Sequence, residues 1–551
     1  MKVVIIGGVA AGATAAARLR RLSEDAEIII IERSGFISYA NCGLPYYIGG
    51  VITDKKDLTL QTPQSFWQRF RIEARVRSEA LSIDRAGKRV RIKDLESGRI
   101  YDESYDYLLL SPGAEAVIPD LPGIRSGRIL TLRHTEDSFA IKDMAEKHQG
   151  GKAIVIGGGF IGLETAENLV HSGLSVTLIQ RSDHVMKPFD SDMAAFLHKE
   201  LRRNGVSLHL NTSLTGFQED DDGITAITDK GRFKADFAVL AIGVRPDSRL
   251  AKEAGLETNS RGSIIVDDSM RTSDPYIYAA GDAVAVMSKA TGERGMIALA
   301  GPANKEGRIV ADNIAGIRSR YRGGTGVSVL KLFSLTAAAA GMNEETALAI
   351  GLDYDTVFTY QGSHASYYPG AQSMMIKLIY EKPLGRILGA EAVGKDGVDK
   401  RIDTISMAVA LGLTADDLVS LDMAYAPPYS SAKDPMNIAG YIASNKLSGI
   451  LEEFSYRDIP ALDKDRDMLI DLRTREETRH GMIDGAVNIP LDELRERLGE
   501  IDKEKTIYVY CRSGQRSYIG ARILTGHGFR ARSLSGGYLL YSEVMNDRAE
   551  A

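Results

Sequence analysis

The sequence predicts an α/β protein of several domains, with two β-α-β domains followed by an α+β domain and a small C-terminal α/β domain. Three observations predict it. Two glycine-rich turns, about 150 residues apart, each connect a buried strand to a helix. Strand and helix patterns mix in residues 326–445, and residues 455–551 alternate strand, loop and helix signals. The 551 residues accommodate three to four domains at about 150 residues each.

The composition is that of a globular protein. Apolar residues make up 44% of the chain and charged residues 26%, which excludes a mostly disordered polypeptide. Lys and Arg number 68 and Asp and Glu 74, so the formal net charge is -6. This mild acidity argues against nucleic-acid binding through a basic surface.

Cysteine content and hydropathy indicate a reducing compartment. The two cysteines, Cys42 and Cys511, are too few for a disulfide scaffold or a thiolate zinc site. No apolar run approaches the roughly 18 residues that a membrane span needs, and the N-terminal MKVVIIGG has no small-residue cleavage site. We therefore expect a cytoplasmic protein with no metal and no membrane partner.

The first β-α-β domain begins at the N-terminus. A β-branched run, Lys2–Ile6, leads into a turn with glycines at positions 7, 8 and 12. A helix is predicted over Ala13–Leu22 and a second buried strand over Glu27–Ile31, which ends at Glu32. Because Val9 replaces a glycine of the G-x-G-x-x-G fingerprint, this unit alone fits a dinucleotide site or a plain β-α-β turn.

The same order of elements recurs near residue 150. A strand over Ala153–Ile156 precedes the complete fingerprint GGGFIG at residues 157–162. A helix over Leu163–Ser172 and a strand over Ser175–Ile179 follow. Two such signals in one chain are more specific than either alone, and they predict one dinucleotide that stays bound and one that exchanges.

Two further strand ends accompany these domains. A strand beginning at Tyr107 enters the tight turn formed by Ser111, Pro112 and Gly113. A second strand, Ile277–Ala280, ends in Gly281-Asp282, and a helix containing Gly301–Asp312 comes later. The Asp282 carboxylate suits a ribityl or ribose hydroxyl, although an aspartate is also common in turns before helices.

The rest of the chain mixes strands and helices. Strands are predicted over Val327–Phe333, Tyr354–Tyr360, Gln372–Tyr380 and Arg386–Val393, and helices over Asn343–Ile350 and Val398–Leu411. The polar stretch Ser444–Glu453 is predicted to be a linker. Strands over Met468–Asp471 and Thr506–Tyr510 then belong to a compact α/β tail.

Six motifs resemble those of known families. The first 445 or so residues resemble the FAD-dependent pyridine nucleotide-disulfide oxidoreductases, and more narrowly the coenzyme A-disulfide reductases, through GGVAAGATAAARLRRL, SYANCGLPY, GGGFIG and YAPPYS. The tail resembles a rhodanese domain through DLRTREETRHGMIDGAVNIP and CRSGQR. The chain is thus similar to coenzyme A-disulfide reductase–rhodanese fusions, a family that includes NADH-dependent persulfide reductases.

This resemblance implies a domain order and a set of cofactors. The FAD-binding domain spans 1–150 and 271–325, the NAD(P)H-binding domain 151–270, the dimerisation domain 326–445 and the rhodanese domain 455–551. It implies FAD, NADH or NADPH, and coenzyme A as ligands, and a homodimer with shared active sites. For FAD it implies Gly7, Ala10, Ala11, Gly12, Glu32, Arg33, Ser111, Pro112, Gly113, Gly281 and Asp282. For the nicotinamide dinucleotide it implies Gly157, Gly159, Phe160, Ile161, Gly162, Glu164, Gln180 and Gly243.

The choice between NADH and NADPH stays open. An acidic residue after the second strand favours NAD through the ribose 2′-hydroxyl, and Glu32 has this place in the first domain. In the second domain the place holds Gln180, followed by Arg181, which could accept a 2′-phosphate.

Cys42 is predicted to be a redox-active thiol. Because the other cysteine lies in another predicted domain, an intramolecular dithiol relay beside the flavin is excluded. A lone thiolate can attack a sulfur–sulfur bond and keep one half as a mixed disulfide, as the resemblance implies for coenzyme A. It can also cycle through sulfenic acid, as in NADH oxidases and peroxidases. A slow-turnover redox-sensing flavoprotein is the third possibility.

Coenzyme A needs cations for its phosphates. Arg18 and Arg21 lie three positions apart on the first predicted helix, so they share a face. The resemblance adds Thr14, Ser38, Asn41, Asn304 and Lys305 as substrate contacts. From the partner subunit it implies Lys433 for coenzyme A, and Tyr367 and Tyr425 as catalytic phenols that donate to the leaving thiolate.

Cys511 is predicted to carry sulfane sulfur. It follows a strand and precedes a helix that starts near Gln515, so loop N–H groups can stabilise a thiolate or persulfide. Arg512 and Arg516 add positive charge to this substrate site. We expect a flavoenzyme that uses NAD(P)H to reduce coenzyme A disulfide, coenzyme A persulfide or polysulfide at Cys42, after Cys511 has passed sulfur to coenzyme A or a similar thiol.

Overall fold

The computed structural model describes residues 1–550. The chain divides into two compact units. The first comprises residues 1–182 and 205–324, and the second comprises residues 183–204 and the chain from 325 onward. In the described residues, no helix combines the length and the apolar character that a membrane crossing requires.

The first unit contains two five-stranded parallel sheets. One has the strand order Ile277–Ala279, Tyr107–Leu110, Lys2–Ile6, Glu27–Ile31, Glu73–Arg75. The other has the order Ser207–His209, Ser175–Ile179, Lys152–Ile156, Phe237–Leu240, Ile129–Thr131. The central strands are buried on both faces, as continuous apolar runs require. The prediction of an α/β protein with two such domains is confirmed.

Each sheet places a helix directly after its first glycine turn. These helices span Ala10–Leu22 and Phe160–His171. The first packs on the helix Ala300–Ile314 so closely that a Cβ at Gly307 would lie 2.2 Å from the Ala11 carbonyl oxygen. Only a glycine allows that approach of the two backbones.

Smaller elements complete the first unit. Its short sheets contain the strands Ser78–Asp84, Arg89–Asp94, Ile100–Ser104, Ala114–Ala116, Leu214–Asp220, Gly223–Thr228, Gly231–Ala235, Val244–Pro246, Ile264–Ile265, Val284–Met287 and Arg294–Gly295. Its other helices are Asn41–Gly43, Leu44–Ile48, Lys55–Leu58, Pro63–Phe70, Thr135–Lys147 and Arg249–Glu253.

The second unit begins with an antiparallel α+β domain, as predicted. The strand order is Ser328–Leu332, Leu335–Gly341, Ile387–Gly394, Ser373–Glu381, Tyr354–Gly362. The helices are Ser191–Arg203, Glu344–Ala349, Val398–Leu411, Ala415–Ser420 and Pro435–Leu447. The Lys377 ammonium is fully buried in this domain and bonds to Asp190, Asp192 and Glu344 at 2.8–3.0 Å.

The C-terminal α/β domain has a third parallel sheet. Its strand order is Glu453–Phe454, Arg530–Leu534, Thr506–Tyr510, Asp467–Asp471, Val487–Asn488. Its helices are Tyr456–Ala461, Arg475–Thr478, Leu491–Glu493, Leu498–Glu500, Gln515–Gly526 and Gly537–Glu550.

The predicted linker Ser444–Glu453 is wrong over half of its length. Residues 444–447 form the last turn of the helix Pro435–Leu447, and Glu453 starts a strand of the third sheet. The helix continues because Ala443 is buried and an Asp434 capping box fixes its start. Only residues 448–452 connect the two domains.

Candidate functional site

Cys42 lies in the short helical turn Asn41–Gly43, which leads into the helix Leu44–Ile48. Its side chain is exposed, yet the surrounding protein atoms partly desolvate the thiol and raise its pKa above the ordinary value. The carboxylates of Glu164 and Asp282 raise this pKa further, and the Arg133 guanidinium lowers it. Arg133 is therefore the group that favours the Cys42 thiolate.

Arg133 also joins two of the predicted site residues. Its Nη2 lies 2.8 Å from an Asp282 carboxylate oxygen, and its Nε donates to the Ala114 carbonyl at 2.8 Å. With the Asn41 amide oriented to satisfy both partners, the amide donates to the Arg133 carbonyl at 2.9 Å and accepts from Nη1 at 3.2 Å. The sequence analysis missed Arg133, because nothing in the sequence distinguishes one loop arginine from the others.

The first glycine turn forms a tight cradle. Gly7 has a φ of +94°, and a Cβ there would lie 2.1 Å from the Ser111 carbonyl oxygen. A Cβ at Gly12 would lie 1.9 Å from the Gly7 carbonyl oxygen. No side chain caps the helix that starts at Ala10, so its first N–H groups suit a pyrophosphate.

Polar side chains beside this cradle also match a dinucleotide. Buried Glu32 accepts the Gly8 N–H at 2.9 Å, and the Ser111 hydroxyl donates to the Gly7 carbonyl at 2.9 Å. The predicted Ala10, Ala11, Pro112 and Gly113 lie in the same turns, whereas Arg33 is half-exposed, 4.0 Å from Asp247. These residues fit FAD, because uncapped N–H groups and a buried carboxylate lie where a strand, a glycine turn and a helix meet.

A second residue that sequence analysis missed is Glu306, which lies in the helix Ala300–Ile314 and bonds to the turn before Asp282. Gly281 has a φ of +82° and donates its N–H to the buried Glu306 carboxylate at 2.7 Å. Burial raises the pKa of Glu306 to about 7, and the nearby Asp282 charge acts in the same direction. Glu306 thus holds the turn that presents Asp282.

The second glycine turn repeats the first. Gly157 has a φ of +103°, and a Cβ at Gly162 would lie 1.9 Å from the Gly157 carbonyl oxygen. The helix over Phe160–His171, whose first turn includes Phe160, Ile161 and Gly162, has Gly159 before it and no side-chain cap. A Cβ at Gly159 or Gly243 would meet no atom within 4 Å, so both positions adjoin open space.

Gln180 has the same structural role as Glu32. Its side-chain oxygen accepts the Gly158 N–H at 2.9 Å, and its amide nitrogen donates to Ser182 at 2.5 Å. The amide is neutral, and the next residue, Arg181, is exposed. The two positions after the strand Ser175–Ile179 thus hold a neutral amide and an arginine, and neither holds a carboxylate.

Glu164 links the helix of the second turn to the helix after Cys42. The Tyr46 hydroxyl donates to its carboxylate at 3.3 Å. Burial raises the pKa of Glu164 to about 7; Glu167 acts in the same direction, and Tyr46 opposes them. Glu164 therefore changes charge near neutral pH beside the Cys42 thiol.

The predicted coenzyme A contacts of the first unit differ in their partners. Thr14 donates to Asn304 at 2.5 Å, because the two long helices of this region pack together. Arg18 is paired with buried Asp312 at 2.9 Å, so a carboxylate already offsets its charge. The cations of this group that remain exposed are Arg21 and Lys305. Ser38 has a φ of +47°.

The predicted partner-subunit residues lie in the second unit. The Tyr367 and Tyr425 hydroxyls are 2.8 Å apart on exposed side chains. The hydrogen bond between them raises the pKa of Tyr367. Lys433 is exposed and precedes Asp434, which pairs with buried Arg401 at 2.9 Å.

Cys511 lies at the base of the loop between the strand Thr506–Tyr510 and the helix Gln515–Gly526. It is 1% exposed, and its Sγ accepts the Gly514 N–H at 3.2 Å. Gly514 has a φ of +106°, so the loop needs a glycine to aim that N–H inward. The predicted cradle for a sulfur anion is consistent with this geometry.

The two arginines of this loop are not equivalent. Arg516 forms two 2.7 Å bonds to Glu477, and these bonds lower the pKa of Glu477 to about 2. Its charge is thereby largely compensated. Arg516 is nevertheless the arginine whose side chain interacts with Cys511, whereas Arg512 is exposed. Glu477 was not singled out by sequence analysis, because it comes from a separate short helix.

Comparisons with known proteins agree with this description. Residues 1–307 match the family described as pyridine nucleotide-disulphide oxidoreductase, residues 327–436 its dimerisation domain, and residues 459–543 the rhodanese-like domain. A coenzyme A disulfide reductase of Staphylococcus haemolyticus is 36% identical over 445 residues, which are 80% of this chain and 99% of that one.

Two solved structures cover almost the whole chain. The reduced CoADR-RHD of Bacillus anthracis is 45% identical, with a TM-score of 0.96, and the match covers 99% of this chain and 98% of that one. A NAD-dependent persulfide reductase from A. fulgidus is 38% identical, with a TM-score of 0.93, and the match covers 98% of this chain and 100% of that one.

Proposed function

This chain belongs to the pyridine nucleotide-disulphide oxidoreductase family and carries a rhodanese-like domain, and from that premise we propose that it reduces coenzyme A disulfide, coenzyme A persulfide or polysulfide with NAD(P)H. The observation that carries the proposal is the lone thiol of Cys42. It is the only cysteine before residue 511, and Arg133 favours its thiolate. Because no second cysteine lies in the same domain, a disulfide at Cys42 needs a sulfur that another molecule supplies.

The two glycine cradles would hold the cofactors. The turn around Gly7 and Gly12, with Glu32 and Asp282, would hold FAD, and the turn around Gly157 and Gly162 would hold the nicotinamide dinucleotide. Bound FAD supplies the electron pair, taken from NAD(P)H, that returns the oxidised Cys42 to a thiolate.

Cys42 performs the sulfur chemistry. Its thiolate attacks one sulfur of coenzyme A disulfide, the sulfur–sulfur bond breaks, and one coenzyme A leaves as a thiolate while Cys42 keeps the other as a mixed disulfide. With coenzyme A persulfide, attack on the coenzyme A sulfur gives the same mixed disulfide and releases hydrosulfide. Each attack conserves charge and electrons.

Substrate recognition would involve residues of two copies of the chain. We assign the coenzyme A phosphates to Arg21 and Lys305, with Arg18, Thr14 and Asn304 fixed beside them by their own bonds. In a homodimer, Tyr367, Tyr425 and Lys433 would come from the partner copy, and a phenol would donate to the leaving thiolate. The dimerisation domain supports this arrangement.

The rhodanese-like domain would feed the first site. Cys511 would accept a sulfane sulfur as a persulfide and pass it to the coenzyme A thiol, which then reacts at Cys42. The inward Gly514 N–H and the Arg516 guanidinium, which interacts with Cys511, both favour an anionic sulfur at this position.

The test is steady-state oxidation of NADH and NADPH with coenzyme A disulfide, coenzyme A persulfide or hydrogen peroxide. We expect rapid turnover with the two coenzyme A compounds, none with either in Cys42→Ser, and a mass increase of one coenzyme A on Cys42 of the oxidised protein. Turnover driven by peroxide or oxygen instead would show an NADH oxidase or peroxidase that uses cysteine sulfenic acid. No turnover with any acceptor would show a redox sensor.

A further inference from the structure

Two buried hydroxyl groups lie behind Cys511. Ser517 is one turn into the helix Gln515–Gly526, is fully buried, and has its Oγ 3.6 Å from the Cys511 Sγ. Ser533, in the strand Arg530–Leu534, is 1% exposed and donates to the Ser517 Oγ at 2.9 Å. An apolar cluster that includes Val509 and Leu524 surrounds the cysteine. Alanine would fill both serine positions without burying a hydroxyl.

The proton that each hydroxyl and thiol of this hydrogen-bonded group donates can be assigned. The Ser517 hydroxyl donates its one proton to the Gly514 carbonyl at 2.8 Å, so its oxygen can accept from both Ser533 and the Cys511 thiol. When the thiol loses its proton, its hydrogen bond to the Ser517 oxygen is lost. The Cys511 thiolate and the Ser517 oxygen are then two acceptors that face each other. The contact becomes favourable again only if the Ser517 O–H turns to the sulfur.

The loop permits this turn at low cost. The Gly514 carbonyl also accepts the Tyr518 N–H at 2.9 Å, so it keeps a partner after Ser517 has turned away. Ser533 continues to donate to the Ser517 oxygen in both states. No buried polar group is therefore left without a hydrogen bond.

We propose that Ser517 is a catalytic residue of the rhodanese-like domain, whose hydroxyl accepts from the Cys511 thiol and donates to its thiolate, and that Ser533 is the positioning residue that orients it. The proposal rests on the sulfur-carrying role given to Cys511 above. Sulfur transfer from a persulfide donor R–S–SH requires that thiolate. The donor S–S bond breaks, the bond from Cys511 to the outer sulfur forms, and R leaves as a thiolate with no net oxidation.

The test is alkylation of Cys511 by iodoacetamide in the full-length protein, followed by mass spectrometry of its peptide at pH 7 and pH 10. Because only the thiolate reacts, Ser517→Ala should slow alkylation at pH 7 about tenfold, the factor expected when one hydrogen bond to a charged group is lost. At pH 10, which lies above the ordinary pKa of a cysteine thiol, about 8.5, the rate should stay within about twofold. Ser533→Ala should show the same pattern with a smaller loss, roughly threefold at pH 7.

Matched controls exclude a loss of structure. Thr525→Ala removes a hydroxyl from the same helix that bonds only to helix carbonyls, and it should leave the rate unchanged. Alkylation of Cys42 in the same samples should also be unchanged. Slowing by equal factors at both pH values, or no slowing, would overturn the proposal. Because iodoacetamide needs no sulfur donor, this outcome is independent of whether coenzyme A compounds are the substrates.

Discussion

At the scale of single residues, the Cys42 thiol lies in a balance of charges. Burial and the carboxylates of Glu164 and Asp282 raise its pKa, and the Arg133 charge and a backbone hydrogen bond oppose them. The ion pair with Asp282, at 2.8 Å, offsets part of the Arg133 charge. The thiolate needed for attack thus depends on whether Glu164 is charged, and Glu164, with a pKa of about 7, changes charge in the working pH range.

Glu164→Gln should make Cys42 more reactive above pH 7. The amide keeps an acceptor for Tyr46 but has no charge, so it no longer disfavours the thiolate. We expect iodoacetamide alkylation of Cys42 at pH 8 to be roughly two- to fivefold faster, as for one nearby unit charge across a solvated cleft. Below pH 7 the wild-type carboxyl is itself protonated, and the two rates should converge. A variant that reacted more slowly at pH 8 would contradict this account of the thiol.

Gln180 and Arg181 should determine the choice of nucleotide. Gln180→Glu would keep the acceptor for the Gly158 N–H and add a carboxylate that binds a ribose 2′-hydroxyl and repels a 2′-phosphate. We expect kcat/KM for NADPH to fall about tenfold or more relative to NADH. Arg181→Ala should lower kcat/KM for NADPH by about tenfold and leave NADH unchanged.

Lys152→Ala is the matched control for Arg181→Ala. It removes the same charge from an exposed side chain at the opposite end of the strand Lys152–Ile156, away from the carboxyl edge where dinucleotides bind. It should alter neither constant. Equal losses for both nucleotides in Arg181→Ala would show that this arginine does not contact a 2′-phosphate.

At the scale of elements, each nucleotide cradle depends on a glycine inside the first turn of a helix. The ideal Cβ at Gly12 or Gly162 lies 1.9 Å from a backbone carbonyl oxygen, and backbone cannot move aside as a flexible side chain can. The strand, turn and helix therefore cannot adjust around an added side chain. A substitution in one glycine turn should thus affect only the nucleotide proposed for that turn.

Gly12→Ala should yield protein with little bound FAD, whereas Gly162→Ala should keep FAD but no longer be reduced by NAD(P)H. The flavin absorbance of the purified proteins, and its bleaching on addition of NAD(P)H, measure the two effects. Gly301→Ala is the control, because its Cβ would meet no atom within 4 Å in the first turn of the helix Ala300–Ile314. A full complement of FAD in Gly12→Ala would refute the assignment of this cradle.

The elements that sequence analysis could predict are those with local signals. Lys2–Ile6, Glu27–Ile31, Ser175–Ile179 and Thr506–Tyr510 are strands with the predicted bounds, because buried parallel strands are continuous β-branched and apolar runs. The strand Leu335–Gly341 was missed: its alanines favour a helix, and pairing with two neighbouring strands outweighs that preference. The proposed nucleophiles Cys42 and Cys511 could be found from their motifs, but Arg133, Glu306 and Glu477 could not, because tertiary folding brings them to the candidate sites.

At the scale of the whole molecule, ion pairs fix the last helix of the C-terminal domain to the helix Ser191–Arg203 of the same unit. His198 in the helix Ser191–Arg203 is fully buried; its Nε2 accepts the Val185 N–H, and its Nδ1 lies 2.8 Å from Asp547 of the last helix. Arg202 also bonds to Asp547, at 2.6 Å. The rhodanese-like domain is therefore packed against the unit and is not a loosely tethered module.

Cys511→Ser is consequently the right way to remove the function of this domain. It leaves Asp547 and its partners in place, so oxidation of NAD(P)H with coenzyme A disulfide should be unchanged while sulfur transfer from a persulfide donor is lost. Deletion of residues 455–551 would instead leave His198 without its Nδ1 partner. We expect the deletion to impair both activities, and equal loss of both in Cys511→Ser would show that Cys511 has a structural role.

Asp547→Ala tests the packing itself. Burial raises the pKa of Asp547, but His198 and Arg202 outweigh burial and hold it below the usual range. The stabilisation is thus complete above the ordinary aspartate pKa and is lost as the pH falls through the lowered one. At pH 7 we expect the variant to lose on the order of 1–3 kcal/mol in urea unfolding, because a partly buried carboxylate bonded to His198 and Arg202 is removed. Glu543→Ala, which removes a partner of exposed Lys199, should cost less than about 1 kcal/mol. If the two variants lost the same stability, or if the loss from Asp547→Ala persisted unchanged below the lowered pKa, the last helix would not be fixed by this carboxylate.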